Sequence, residues 1–163
     1  MEAETEDSMA DPVRISIFPD ELPEGRAWTP GEGEPPRLRG GERIRGTVEV
    51  NALKDVEFCA FNLGFLWHTE GKGNRASGSA GVQKLQDEGD WRSGDRVTIP
   101  FSLTAPWGPL SYDGKLLKVL WSLEARLDRS MLQPDVTEGI PFVLDADPED
   151  RSHDLGPRPQ KPR

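Results

Sequence analysis

The sequence predicts an all-β chain folded as an antiparallel β-sandwich. Apolar residues recur with period two in several short runs, the pattern of strands with one buried face. The 17 Gly and 15 Pro gather between these runs and not inside them, where turns need them. Many short strands separated by turn signals pack as a sandwich or barrel, whereas a parallel sheet would need helical segments between the strands.

The elements follow in order. Val13, Ile15 and Ile17 alternate with Arg14 and Ser16. Ile44, Gly46, Val48 and Val50 alternate with Arg43, Arg45, Thr47 and Glu49. In 56–68 (VEFCAFNLGFLWH), Cys59, Phe61, Leu63, Phe65 and Trp67 share one face. Val56, Phe58, Ala60 and Leu66 populate the other, so a long central strand partly covered on both sides is expected. Val97, Ile99, Phe101 and Leu103 form a further strand, and Ile140, Phe142 and Leu144 a short last one. Gly71–Gly78 reads as a loop joining two strands. It lacks the Gly-Lys-Ser/Thr ending and the following helix of a phosphate loop.

Residues 115–127 (KLLKVLWSLEARL) fit two templates. Leu117, Val119, Trp121, Leu123, Ala125 and Leu127 alternate as on a strand. Leu116, Leu120, Leu123 and Leu127 also keep helical spacing, in a segment rich in helix formers. Periodicity leaves both open.

A chain of 163 residues is one domain, or one domain with tails. The expected folded unit is 12–145. Residues 1–11 form an acidic tail and 146–163 a Pro-rich charged tail, both expected to be disordered because they offer little to bury. The formal net charge is −9. Residues 1–11 hold five acids and no base, whereas 12–144 hold 16 bases and 19 acids. A nearly balanced body argues against nucleic acid as a partner, since a binder shows a basic surplus on its fold. One cysteine, Cys59, excludes a disulfide framework. No apolar run is long enough for a transmembrane helix, and MEAETEDSMADP lacks the features of a signal peptide. A cytoplasmic location is the expectation.

Candidate chemistry is sparse. Cys59 sits between Phe58 and Phe61 and reads as a buried structural thiol. His68 lies nine residues on, which places it on the other face. His153 is in the tail. Asp145, Asp147, Glu149 and Asp150 lack the spacing of a calcium loop, so neither cofactor nor metal is expected. Of five tryptophans, Trp67 and Trp121 are in phase with the core, while Trp28, Trp91 and Trp107 lie in or beside loops and could line a ligand face. Arg37, Arg39, Arg43 and Arg45 form a local basic cluster that suits an acidic segment or phosphate.

Two stretches carry a resemblance. Pro100–Phe–Ser–Leu–Thr–Ala–Pro–Trp–Gly–Pro–Leu–Ser–Tyr–Asp–Gly114, then Leu117–Lys–Val–Leu–Trp–Ser–Leu–Glu–Ala–Arg–Leu–Asp128, resemble the first lobe of the arrestin superfamily. Gly41–Glu–Arg–Ile–Arg–Gly–Thr–Val–Glu–Val50 is similar to an earlier strand of that lobe, Val56–His68 to the next, and Gly94–Phe101 to the lead-in. Order and spacing agree over about 14–144. Alpha-arrestins and the bacterial sporulation-control arrestin-like proteins are the comparisons. The resemblance implies one immunoglobulin-like lobe, with 115–127 as a strand. It also implies a non-catalytic adaptor or scaffold that binds a protein partner, with a homodimer as the simplest case. The Pro-Pro-x-Tyr motifs of alpha-arrestins are missing, since Pro35–Pro36 continues Arg37–Leu38. A glycan- or lipid-binding sandwich using exposed tryptophans is the alternative.

Overall fold

A computed structural model describes residues 11–20, 22, 28, 34–73, 75–130 and 132–145. The two expected tails lie outside these residues, apart from Asp11. Among the described residues nine strands follow one another: β1 (Val13–Pro19), β2 (Arg37–Arg39), β3 (Arg43–Ala52), β4 (Val56–Gly71), β5 (Ser77–Trp91), β6 (Arg96–Thr104), β7 (Tyr112–Asp113), β8 (Leu117–Asp128) and β9 (Val136–Asp145). No helix long and apolar enough to cross a membrane occurs among the described residues.

The strands form two sheets. One has three strands in the order β1-β3-β6, and the other runs β2-β9-β8-β4-β5 with β7 beside β8. Pairing is antiparallel except for β2 with β9. The inner faces carry the alternating residues read from sequence: Ile15 and Ile17, Ile44, Val48 and Val50, Phe101 and Leu103, Leu123 and Leu127, Ile140 and Leu144. Of segment 115–127, residues 117–127 are strand, with period-two burial from Trp121 through Leu127, and Lys115 and Leu116 lie in the turn before it.

Four rings cluster on the inner face of the larger sheet, three of them from β4, β8 and β9 and one from the β1–β2 connection. Phe142 lies 5.5 Å from Phe65, 5.6 Å from Trp28 and 5.7 Å from Trp121 between centroids. A second group joins Trp91 to Phe58 at 4.3 Å and to Phe61 at 5.6 Å. Offset and edge arrangements of this kind add to the area the rings bury.

Two expectations about β4 and its neighbour are corrected. The inward face of β4 is not the single series 59, 61, 63, 65, 67. Val56 and Phe58 are buried, then Phe61, Leu63 and Phe65. The phase shifts between Phe58 and Phe61, so Cys59 turns outward and is exposed. Its expected burial between aromatic neighbours fails because those neighbours point the other way. The second correction is β5, fifteen residues long, which alternation did not reveal. Its side chains are mostly polar and exposed, and backbone pairing with β4 holds it. The register slips twice along this pair, near Phe61/Asn62 and Leu63/Phe65. Gly81, with φ +60, lies at the second slip, where a left-handed backbone suits glycine. β5 leans there toward β6, and the Gln83 side chain accepts a hydrogen bond from the Ser102 amide at 3.2 Å.

Candidate functional site

The four candidate arginines separate into two pairs. Arg37 and Arg39 flank buried Leu38 on β2, in the larger sheet. Arg43 and Arg45 flank buried Ile44 on β3, in the smaller one. The turn between them is tied by the Arg39 amide donating to Glu42 Oε1 at 2.7 Å and the Glu42 amide donating to the Arg39 carbonyl at 3.1 Å. Arg37 Nη1 donates to Asp145 Oδ2 at 2.7 Å. Arg43 stands opposite Thr104 and Arg45 opposite Ser102, with both arginines exposed. Sequence proximity thus becomes a corner between two sheets and not one basic pocket.

The tryptophans divide as well. Trp28 and Trp91 are buried at 5% exposure, each stacked in an aromatic group of the core. A ligand face built on Trp28, Trp91 and Trp107 is therefore ruled out as one surface. Trp28 escaped notice because it sits in a Pro/Gly-rich connection with no period, so no pattern announces its docking on Phe142. Trp107 alone keeps 67% of its surface exposed.

No nucleophilic pair forms from Cys59 and His68. Both lie on β4 nine residues apart, about 30 Å along a strand. His68 Nε2 is instead 3.0 Å from Glu70 Oε2. Cys59 lines a shallow groove of about 590 Å³ with Glu57, Glu88, Asp90 and Arg129. Among the described residues no group of three or more His, Cys, Asp or Glu is placed to hold a metal.

That end of the sandwich is acidic and holds a shifted carboxyl. Burial, then the charge of Asp135, raise the Asp128 carboxyl above its ordinary value of 3.8, against the pull of Arg126. The folded state thus holds this proton more tightly than the unfolded chain. Ionised Asp128 opposes folding at neutral pH, and the opposition fades as pH falls through the raised value toward 3.8. Asp128→Asn is expected to raise the melting temperature at pH 7. Its advantage over the native chain should shrink as the pH approaches 4 (about the unfolded aspartate value). A gain that grows on acidification would contradict the assignment.

The sheet edges differ in how well they are guarded. β5 carries Lys84, Asp87, Glu88 and Asp90 and two register slips. β6 has Pro100 at its centre and one amide capped by Gln83. β2 is three residues long. Charges, bulges, proline and short length all blunt an edge. β1 has Arg14 as its one charged residue, with proline only at its end, and among the described residues it pairs on one side only, with β3. Beside its start a groove of about 240 Å³ opens toward β9, lined by Asp11, Val13, Ile15, Leu53, Val136 and Glu138.

No protein-family model matches the chain, and no curated protein does. Among solved structures, that of Spo0M, a sporulation control protein from Bacillus subtilis, matches with a TM-score of 0.62 at 16% identity. The match covers 85% of this chain and 51% of that one, so the chain spans about half the length of Spo0M. At that identity the likeness concerns architecture, and with the two-sheet topology it shows that this chain adopts the arrestin-like β-sandwich fold.

Proposed function

We propose that this domain is a non-catalytic protein-binding module of adaptor type, and that its partner adds a strand to the outer edge of β1. The observation that carries the reading is the contrast among edges: β1 lacks the protections found on β2, β5 and β6. Among the described residues no strand pairs with its outer side, so its edge N–H and C=O groups and alternating apolar side chains can be matched by an extended segment. Arg43 and Arg45 lie one strand in from that edge, and Arg37 and Arg39 around the corner. They would favour a partner segment carrying acids. The arrestin-like fold, whose relatives serve as adaptors, supports the same reading.

A photo-crosslinking residue in place of Phe18 tests it, since Phe18 sits on β1 and is half exposed. The expected result is a discrete adduct in lysate of the source organism, and none from the equivalent substitution of Val82 on β5. Adducts at both positions alike, or at neither, would remove the β1 edge as the binding surface. A second copy is the simplest partner, because two β1 edges related by a twofold axis would join two sheets. Light scattering at tens of micromolar is then expected to give twice 18.1 kDa. A monomer mass would leave a separate protein as the partner.

A further inference from the structure

We propose that the end of the sandwich built from the β6–β8 connection and the β4–β5 hairpin docks on an anionic lipid bilayer. The surface lies apart from the β1 edge and does not depend on the reading above. The segment after β6 crosses the mouth between the two sheets. Ala105 and Pro106 are buried there, and the Trp121 indole donates to the Pro109 carbonyl at 2.6 Å, which fixes the crossing. The residues that follow turn outward. Trp107 is 67% exposed, Leu116 68%, Tyr112 59%, Leu110 43% and Leu117 38%. Five of the nine large apolar side chains exposed among the described residues are thus in one eleven-residue stretch.

Their presentation is organised. The Trp107 ring lies over Gly40 and Gly41, so close that a Cβ on either glycine would overlap it. Gly41 has φ +86, a conformation that suits glycine. The indole is held in one place with most of its surface in water. Tyr112 pairs with Val119 across β7 and β8, and the Leu116 carbonyl accepts from the Lys72 amide at 3.1 Å, which joins the two loops. None of the five apolar side chains lines either groove described above.

Charge selects the occupant. The same loops carry Lys72, Arg75, Lys115 and Lys118 against Glu70 and Asp113, and the turn under Trp107 adds Arg39 and Glu42. Glu70 is engaged by His68, and Asp113 lies 3.6 Å from Lys118. In a chain of net charge −9 these loops carry four bases and two acids, while at the other end Asp55, Glu57, Glu88, Asp90 and Asp95 outnumber Lys54, Arg92 and Arg96. β4 alone spans about 50 Å, several times the screening length of about 8 Å at physiological salt. The distant acids are therefore screened from a surface that these loops approach. Trp and Tyr prefer the headgroup level, Leu the acyl boundary, and Lys the anionic phosphates above. Exposed loops carrying all three suit a bilayer better than a protein groove.

The full chain sedimented with vesicles of phosphatidylcholine plus phosphatidylserine tests the proposal, with tryptophan emission read in parallel. Binding is expected to the mixed vesicles and not to phosphatidylcholine alone, to weaken with salt, and to shift emission to the blue. Trp28, Trp91 and Trp121 are buried and Trp67 is half-buried against Gly78, so the shift is assigned to Trp107 by its disappearance in Trp107→Ala. Partition should fall about tenfold in Trp107→Ala, as expected when buried apolar area is removed, and about fivefold for each of Lys72→Glu and Lys115→Glu. Leu116→Ser, at a site exposed enough to leave folding intact, should weaken binding as well. No binding to either vesicle overturns the proposal. Equal binding to both compositions, or binding unchanged in Trp107→Ala and Leu116→Ser, overturns it too.

Discussion

Phe142→Ala is expected to destabilise the domain by about 3–5 kcal/mol, the range for truncating a buried aromatic ring. Phe142 is 3% exposed and its ring meets Trp28, Phe65 and Trp121, which come from the β1–β2 connection, β4 and β8. Truncation leaves a void that three large rigid rings cannot all collapse into, so the cavity contribution should be near the top of its range. Against a total stability of about 5–15 kcal/mol, that loss is a large fraction. The melting temperature should fall by about 10–20 °C. Leu132→Ala, at a position 94% exposed, should stay within about 0.5 kcal/mol of the native chain. Denaturant unfolding of both variants decides it. A Phe142→Ala loss below 1 kcal/mol would mean that the Trp28, Phe65 and Trp121 rings do not pack around Phe142.

Gly46→Ala is expected to cost about 1–3 kcal/mol, and Gly46→Val more, by overpacking. Gly46 faces inward on β3 between Ile44 and Val48. A Cβ there would stand 2.4 Å from the Phe18 carbonyl oxygen, 2.7 Å from the Pro19 Cα and 2.8 Å from the Phe101 ring. Two of those obstacles are backbone of β1, so relief requires moving a strand and not rotating a side chain. The neighbouring Thr47→Ala, which faces outward, should change stability by less than about 1 kcal/mol. If Gly46→Ala melts with the native chain, β1 does not cross β3 this closely.

The strands legible in sequence were those with one face buried and the other wet. Val13–Ile17, Ile44–Val50, Phe101–Leu103 and Ile140–Leu144 all alternate because each lies in a two-layer sandwich, and burial there writes period two into the residues. Gly46 belonged to that alternation, but its need for glycine did not show, because the close approach of β1 is a property of the packed pair. Segment 115–127 held two periodicities at once. Its sheet neighbours β4 and β9 decide between them, by pairing with both edges of β8.

The tertiary structure alone decided the rest. β5 is a strand because β4 offers it backbone partners, and backbone hydrogen bonds leave no signature in side-chain polarity. Cys59 turned outward because β4 changes phase between Phe58 and Phe61, a slip of one residue that moves every side chain beyond it to the other face. Trp28 is core and Trp107 is surface, though both lie among prolines and glycines, because Trp28 packs on Phe142 while Trp107 lays its indole across Gly40 and Gly41. The arginines at 37, 39, 43 and 45 are neighbours in the chain, yet the turn at 40–42 sends them to different sheets. Local sequence records which residues one strand hides. It does not record which strands stand beside one another, and the candidate surfaces here are made by that arrangement.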